Sequence, residues 1–308
     1  MDVKQNEWDA DIEVNDELAR KLIDSQFADL APAELSLLGV GWDNAAYLVN
    51  ASYVFRFPRR QFAADTIANE VRCLRLIAPG LPLPISAPTY VGAPVADYPY
   101  PFAGYRRLAG ETACRLTWTA EQRAAVAGSL GSFLRALHSL HIDDATRSWA
   151  PQDELRRAAL AYRLPKVLER LQVIGNRKPH IPAQELAALA EALSHAAPHP
   201  GLSCWVHGDL YARHLLASDD RRLTGVIDWG DVHLGDPAVD LGIVFSFLPA
   251  SARPQFRDAY GPIDAETWKR ARFRAIHYGA ILNLYGDDTG DTAIRDAGET
   301  ALRFALES

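Results

Sequence analysis

The chain is short of several things, and each shortage closes a class of protein. Its 308 residues hold three cysteines, Cys73, Cys114 and Cys204. They are widely spaced and odd in number, which argues against a disulfide framework and a zinc site, so they read as reduced packing residues. Apolar runs break well before the roughly 18 residues a membrane span needs. The opening MDVKQNEWDADIEVNDELAR is acidic and lacks the basic start and apolar core of a secretory signal. A cytoplasmic protein with no membrane partner is the expectation. Basic charge is in deficit too, with 32 Lys and Arg against 39 Asp and Glu, a net charge of -7. Nucleic-acid binding, which rests on clustered cations, is therefore not expected. Neither G-x-x-x-x-G-K-[ST] nor a convincing G-x-G-x-x-G occurs, so P-loop and Rossmann folds lack their fingerprints.

What is present is ordinary globular composition, 48% apolar and 23% charged, in a chain long enough for two subdomains. The texture changes near residue 107. Before it lie strand-like segments, ELSLLGV, AAYLVNA and YVFRFP, rich in β-branched and aromatic residues. One helix interrupts them at TIANEVRCLRLIA, where Val71, Leu74 and Ile77 share a face. After residue 118 the pattern is mainly helical. Thr119 and Gln122 form a capping box ahead of the stripe Leu130, Phe133, Leu134 and Leu137. Further helices are predicted over 183–196, 238–248 and 264–285, the last capped by Asp264. The Pro-rich APGLPLPISAP and GAPVADYPYP read as connections near the sheet.

The stretch VHGDLYARHLLASDDRRLTGVIDWGD, residues 206–231, places Asp209 after a strand, His214 five residues on and Asp228 beyond a hairpin. That arrangement suits phosphoryl transfer: one acid takes the proton of an attacking hydroxyl, and the other groups hold magnesium against nucleotide phosphates. Singly, each residue has a plainer reading, as a turn former or a packed histidine. His138 and His141 have no third ligand nearby and read as helix-end packing. Asp236 reads as a turn residue and Asp240 as an acid near a helix start.

The run HGDLYARHLL…GVIDWGDVHLGDPAVDL resembles the catalytic segment of the aminoglycoside phosphotransferase family. GWDNAAYLVNASYVFRFPRR, NEVRCLRLIAPGLPLPISAP and PFAGYRRLAGE are similar to parts of the aminoglycoside 2''-phosphotransferases, so the resemblance covers most of 35–116 and 203–245. It implies an α+β, bilobal, protein-kinase-like fold, with a small antiparallel-sheet lobe over 1–107 that binds nucleotide and a larger, mainly helical catalytic lobe over 108–308. It implies Asp209 as the catalytic carboxylate, and Asp228 and His214 as magnesium ligands. In the small lobe it implies Arg56, where the family usually carries lysine, on the phosphates, with Glu70 as its ion-pair partner. Val54 shares the face of Arg56 by strand alternation and is placed against the base. Asn44 lies in the turn over the phosphates, and the backbone around Arg106 and Leu108 is placed at the purine edge.

The implied reaction moves the γ-phosphate of ATP or GTP, with Mg2+, to a hydroxyl of an aminoglycoside, by a protein expected as a monomer. Asp287 and Asp288, in YGDDTGD with Asp291, are candidates for ammonium contacts or a solvated loop, and Asp231 for positioning the acceptor or merely decorating its loop. The alternatives are a macrolide or metabolite kinase, kept alive by the basic ELRRAALAYRLPKVLERL, and a noncatalytic nucleotide-binding protein, prompted by Arg56.

Overall fold

A computed structural model describes residues 11–41, 43–199 and 203–307. The first ten residues, part of the acidic opening, lie outside the described residues, as does Trp42. The chain divides into two compact units. Unit 1 takes the residues up to Pro79 together with Ile85–Leu108, and unit 2 takes Gly80–Pro84 and everything from Ala109 on. Leu108 thus groups with unit 1, one residue beyond the boundary read from sequence. The short 80–84 segment joins unit 2, where the Val226 N–H donates to the Pro84 carbonyl at 3.0 Å.

Unit 1 opens with α1 (Asp16–Gln26), whose cap Asn15 accepts the Leu18 N–H at 2.9 Å. β1 (Leu35–Val40), β2 (Asn44–Val49) and β3 (Tyr53–Pro58) form a meander, followed by α2 (Gln61–Ile77). β4 (Pro88–Gly92) and β5 (Phe102–Arg106), flanking the second Pro-rich connection, complete an antiparallel sheet of order β1-β2-β3-β5-β4. Strand alternation builds two faces. On one, Tyr47, Phe55, Phe57 and Phe102 join Tyr98 and α1 in an aromatic core, with the Phe57 and Phe102 rings 4.9 Å apart. Burying each such ring contributes about 1.5–3 kcal/mol. On the other, Ala103 and Tyr105 pack against Ile67 and Val71 of α2. That face also carries Val54 and Arg56.

Unit 2 begins with β6 (Glu111–Thr112), α3 (Ala120–His138), α4 (Asp144–Arg147), α5 (Leu160–Arg177) and α6 (Ala183–Ser194). Thr119 and Gln122 do form the capping box at the start of α3. β7 (Cys204–Val206), β8 (Leu215–Ala217), β9 (Leu223–Val226) and β10 (His233–Gly235) follow, then α7 (Ala238–Phe247), α8 (Arg253–Tyr260), α9 (Ala265–Thr289) and α10 (Thr292–Leu306). The expected hairpin is β8–β9, but it is not the only sheet: β6 pairs with β8, and β7 pairs with β10. In α7 every residue but Ser246 is buried, as a helix apolar all round must be. α9 and α10 approach so closely that a Cβ on Gly298 would meet the Asn283 nitrogen at 2.4 Å.

Two expectations are corrected. α9 runs four residues past the predicted end to Thr289 and stops at Gly290 (φ 74°), so Asp287 and Asp288 belong to its last turn and not to a loop. α2 starts at Gln61, five residues before the predicted stretch. The three cysteines are free, with Cys73 buried and Cys114 and Cys204 half-buried.

Candidate active site

The segment that carries Asp209, His214 and Asp228 is positioned by backbone bonds before any side chain acts. β7 and β10 pair Val206 with His233, and the chain turns out of β7 through Gly208 at φ 86°. A Cβ there would stand 2.3 Å from the Asp231 carbonyl, so glycine is required by both conformation and space. Asp240, fully buried at the start of α7, accepts the His207 N–H at 2.7 Å and the Gly208 N–H at 3.0 Å. His138 of α3 approaches the same carboxylate at 3.3 Å through Nε2, and its Nδ1 meets the Tyr260 hydroxyl at 2.8 Å. Burial opposes the charge on Asp240, yet His138 and the loop N–H groups hold its carboxyl below the usual range. A buried acid thus grips the turn from behind. Asp236 is likewise structural: it caps Ala238 and pairs with buried Arg270 at 2.6 Å.

His207 links the two halves of the segment. Its Nε2–H donates to the Ile227 carbonyl at 3.0 Å, so its Nδ1 accepts the Asp209 N–H at 3.3 Å. Burial pushes its pKa down and keeps the ring neutral, tilted against the buried Trp229 with centroids 4.6 Å apart. His214 repeats the logic. Its Nδ1–H donates to the Asp209 carbonyl at 2.7 Å, leaving the Nε2 lone pair 3.4 Å from Asp228 Oδ2. Burial again pushes the pKa down, although the Asp228 charge opposes it.

These bonds bring Asp209, His214 and Asp228 together. The Asp209 carboxylate lies 3.8 Å from His214 and receives no hydrogen bond among the described residues. Burial, followed by the charge of Asp231, pushes its pKa up to about 6, while Arg274 pulls the other way. Asp228 is half-exposed and sits at φ 65°, a conformation aspartate tolerates better than most side chains. A neutral imidazole nitrogen and a carboxylate oxygen 3.4 Å apart fit adjacent ligand positions of one small divalent cation. The described residues supply no cluster of three metal-ligating side chains, so water and nucleotide phosphate oxygens would complete such a shell.

Within unit 1, Arg56 and Glu70 form the expected ion pair at 3.2 Å, with Glu70 fully buried. Val54 is half-buried beside them. Asn44 opens β2 and its buried Oδ1 has no hydrogen-bond partner among the described residues. Arg106 closes β5 opposite Tyr53, and Leu108 follows it.

Each of the acids offered for a cationic acceptor already has a cation beside it. Arg157 forms a short ion pair with Asp231 and lies 3.6 Å from Asp153. Lys178 holds Asp287 at 2.8 Å, and Arg177 holds Asp288 at 3.5 Å. Such partners also offset the cost of acids at a helix C-terminus. Sequence reading passed over Arg274, whose Nη2 reaches the Gly208 carbonyl at 3.4 Å. No local signal marks it, since it lies 66 residues from that loop.

A sequence profile of the phosphotransferase enzyme family matches residues 34–274. Viomycin phosphotransferase of Streptomyces vinaceus is 30% identical over 207 residues, 64% of this chain and 68% of that one. Alignments with three curated relatives cover 35% to 68% of their lengths. Among solved structures, the GDP and kanamycin complex of APH(2'')-IIia superposes with TM-score 0.62 at 23% identity, over 92% of this chain and 97% of that one. A macrolide 2'-phosphotransferase from Brachybacterium faecium superposes with TM-score 0.55 at 25% identity, over 88% and 91%. The α+β fold is the one these kinase-like structures share. With the profile spanning most of both units, the chain belongs to the phosphotransferase enzyme family.

Proposed function

We propose that the protein transfers the γ-phosphate of ATP or GTP to a hydroxyl of a small molecule. The observation that carries this reading is the grouping of Asp209, His214 and Asp228, with the Asp209 carboxylate free of hydrogen bonds among the described residues and its pKa pushed up to about 6. A base poised there accepts a hydroxyl proton near neutral pH. The substrate oxygen attacks the γ-phosphorus as the bond to the β,γ-bridging oxygen breaks, the proton passes to Asp209, and ADP or GDP departs. Asp228 and the Nε2 atom of His214 would hold magnesium, which supplies charge neutralisation on the phosphates when bound. In unit 1, Arg56, oriented by Glu70, would meet the phosphates, with Val54 and Asn44 beside the nucleotide and the Arg106–Leu108 backbone at its purine edge. The division of labour is alignment plus electrostatics.

An aminoglycoside acceptor draws support from the kanamycin complex of a structural relative. The acids 231, 287 and 288 lend it none, since all three are matched by cations. The test is magnesium-dependent release of ADP or GDP by purified protein, ATP and GTP separately, with Asp209→Asn alongside. Turnover lost in the variant is expected. Release that survives the substitution would overturn the reading.

A further inference from the structure

Unit 2 gathers arginines near Asp209 that no carboxylate holds in a direct ion pair among the described residues. On α9, Arg274, His277 and Tyr278 follow at i, i+3 and i+4, and so share a face. On α5, Arg163 and Arg170 lie two turns apart, flanking buried Val167, and α5 packs against α9. Arg170 Nη1 lies 3.4 Å from His277 Nε2. The Arg274 guanidinium sits 4.4 Å over the Tyr278 ring and touches the Gly208 carbonyl, one residue before Asp209. Among the described residues, Arg163, Arg170 and Arg274 form no ion pair. Arg163 instead donates to the carbonyls of Leu155 and Arg156. Arg157, the fourth arginine here, is the matched one, through Asp153 and Asp231.

His277 sharpens the point. A guanidinium only donates, so His277 Nε2 accepts from Arg170 and Nδ1 carries the proton. That Nδ1 is buried with no hydrogen-bond partner among the described residues. Burial and the charges of Arg274, Arg170 and Arg163 push the ring's pKa down to about 2, so it is a neutral donor surrounded by cations. Only the charges of Asp209 and Asp153 near Arg274, and of Glu169 beside Arg170, offset the cost of grouping these buried and half-buried guanidinium ions, whose planar forks match carboxylate or phosphate oxygens. The arrangement is the reverse of what a polyamine would require.

We propose that Arg163, Arg170, Arg274 and His277 form an acceptor subsite for an anionic group, so that the alcohol phosphorylated carries a carboxylate or phosphate of its own. This rests on the phosphoryl-transfer reading above. The tests separate the two. Asp209-dependent basal hydrolysis of ATP or GTP reports on the parent reading. Acceptor turnover is then compared for matched pairs, D-gluconate with D-glucose and D-glycerate or glycerol 3-phosphate with glycerol, and for kanamycin. The expected result is kcat/KM at least tenfold higher for the anionic member of a pair. Arg170→Gln should raise the KM of that acceptor at least tenfold with little change in kcat, and Arg170→Lys should recover part of it. Arg163→Gln serves as a second variant should Arg170→Gln fail to fold. Preference for glucose, glycerol or kanamycin overturns the proposal. So does a shift in nucleotide KM in place of acceptor KM, which would assign the arginines to the nucleotide. If every acceptor fails while Asp209-dependent hydrolysis persists, the subsite falls and the parent reading stands; without that hydrolysis both fall.

Discussion

At Asp209 the protein holds an ionisable group where its charge is disfavoured. With a pKa of about 6 against the usual 3.8, its contribution to stability is present below about pH 4 and lost as pH rises through 6. The Asp209→Asn variant, free of metal and nucleotide, should therefore unfold at higher temperature than wild type at pH 7. The gain is at most roughly 3 kcal/mol by the size of the shift, and should shrink toward pH 4, which melting curves at the two pH values would check. Arg56 makes a second residue-level case. It faces a fully buried Glu70 at 3.2 Å, so Arg56→Ala should cost more stability than Arg56→Lys, about 2–3 kcal/mol against about 1. Urea unfolding of both variants measures the difference. If lysine proves as damaging as alanine, the planar guanidinium and not its charge is what that site needs.

At the scale of elements, the turn around Asp209 is held by its neighbours. Gly208→Ala should lose more than about 1–2 kcal/mol, from the left-handed backbone and the contact with the Asp231 carbonyl. Asp240→Ala should lose about 3–5 kcal/mol, since it strands two buried N–H groups and His138. Calorimetry on both checks the values, and both should depress turnover although neither side chain touches the reacting atoms. Caps account for part of what was legible: α6 and α7 were predicted although Pro182 and Pro237 make no side-chain cap, and α1 and α10 were not, although Asn15 and Asp291 do. α3 and α9 start where Thr119 and Asp264 announce them, and both side chains do accept backbone N–H groups. α2 and α5 are preceded by Arg60 and Ala159, which make no side-chain cap, so the beginning of one and the whole of the other gave no local signal. Pro165 inside α5 obscured it further. Gly286 followed by two aspartates read as a loop, whereas its missing side chain admits the Arg295 backbone of α10. The Asp209, His214 and Asp228 grouping was readable because a hairpin joins its members. Asp240, His138 and Arg274 were not assigned to that site, because only tertiary packing carries them there.

For the whole molecule, the α+β fold and the family were visible in motifs spread along the chain, while charge balance was not informative at that level. A net charge of -7 coexists with a local excess of arginine between α5 and α9. Whole-chain chemistry yields one further expectation. Burial pushes the Cys73 thiol up to about 12 and raises Cys114 and Cys204 as well. Thiolate is the reactive form, so the native protein at pH 8 should react with a disulfide reagent at least tenfold more slowly than the urea-unfolded chain, which should yield three equivalents. A rapid equivalent in the native state would single out one cysteine as exposed by motion.

The grip of Asp240 on His207 and Gly208 has a practical corollary. Because the turn takes its shape from behind, the carboxylate at its tip can be neutralised without redrawing it. Asp209→Asn should therefore act as a substrate trap, holding nucleotide and acceptor together unreacted, and co-crystals of that variant with both would capture the complex before transfer.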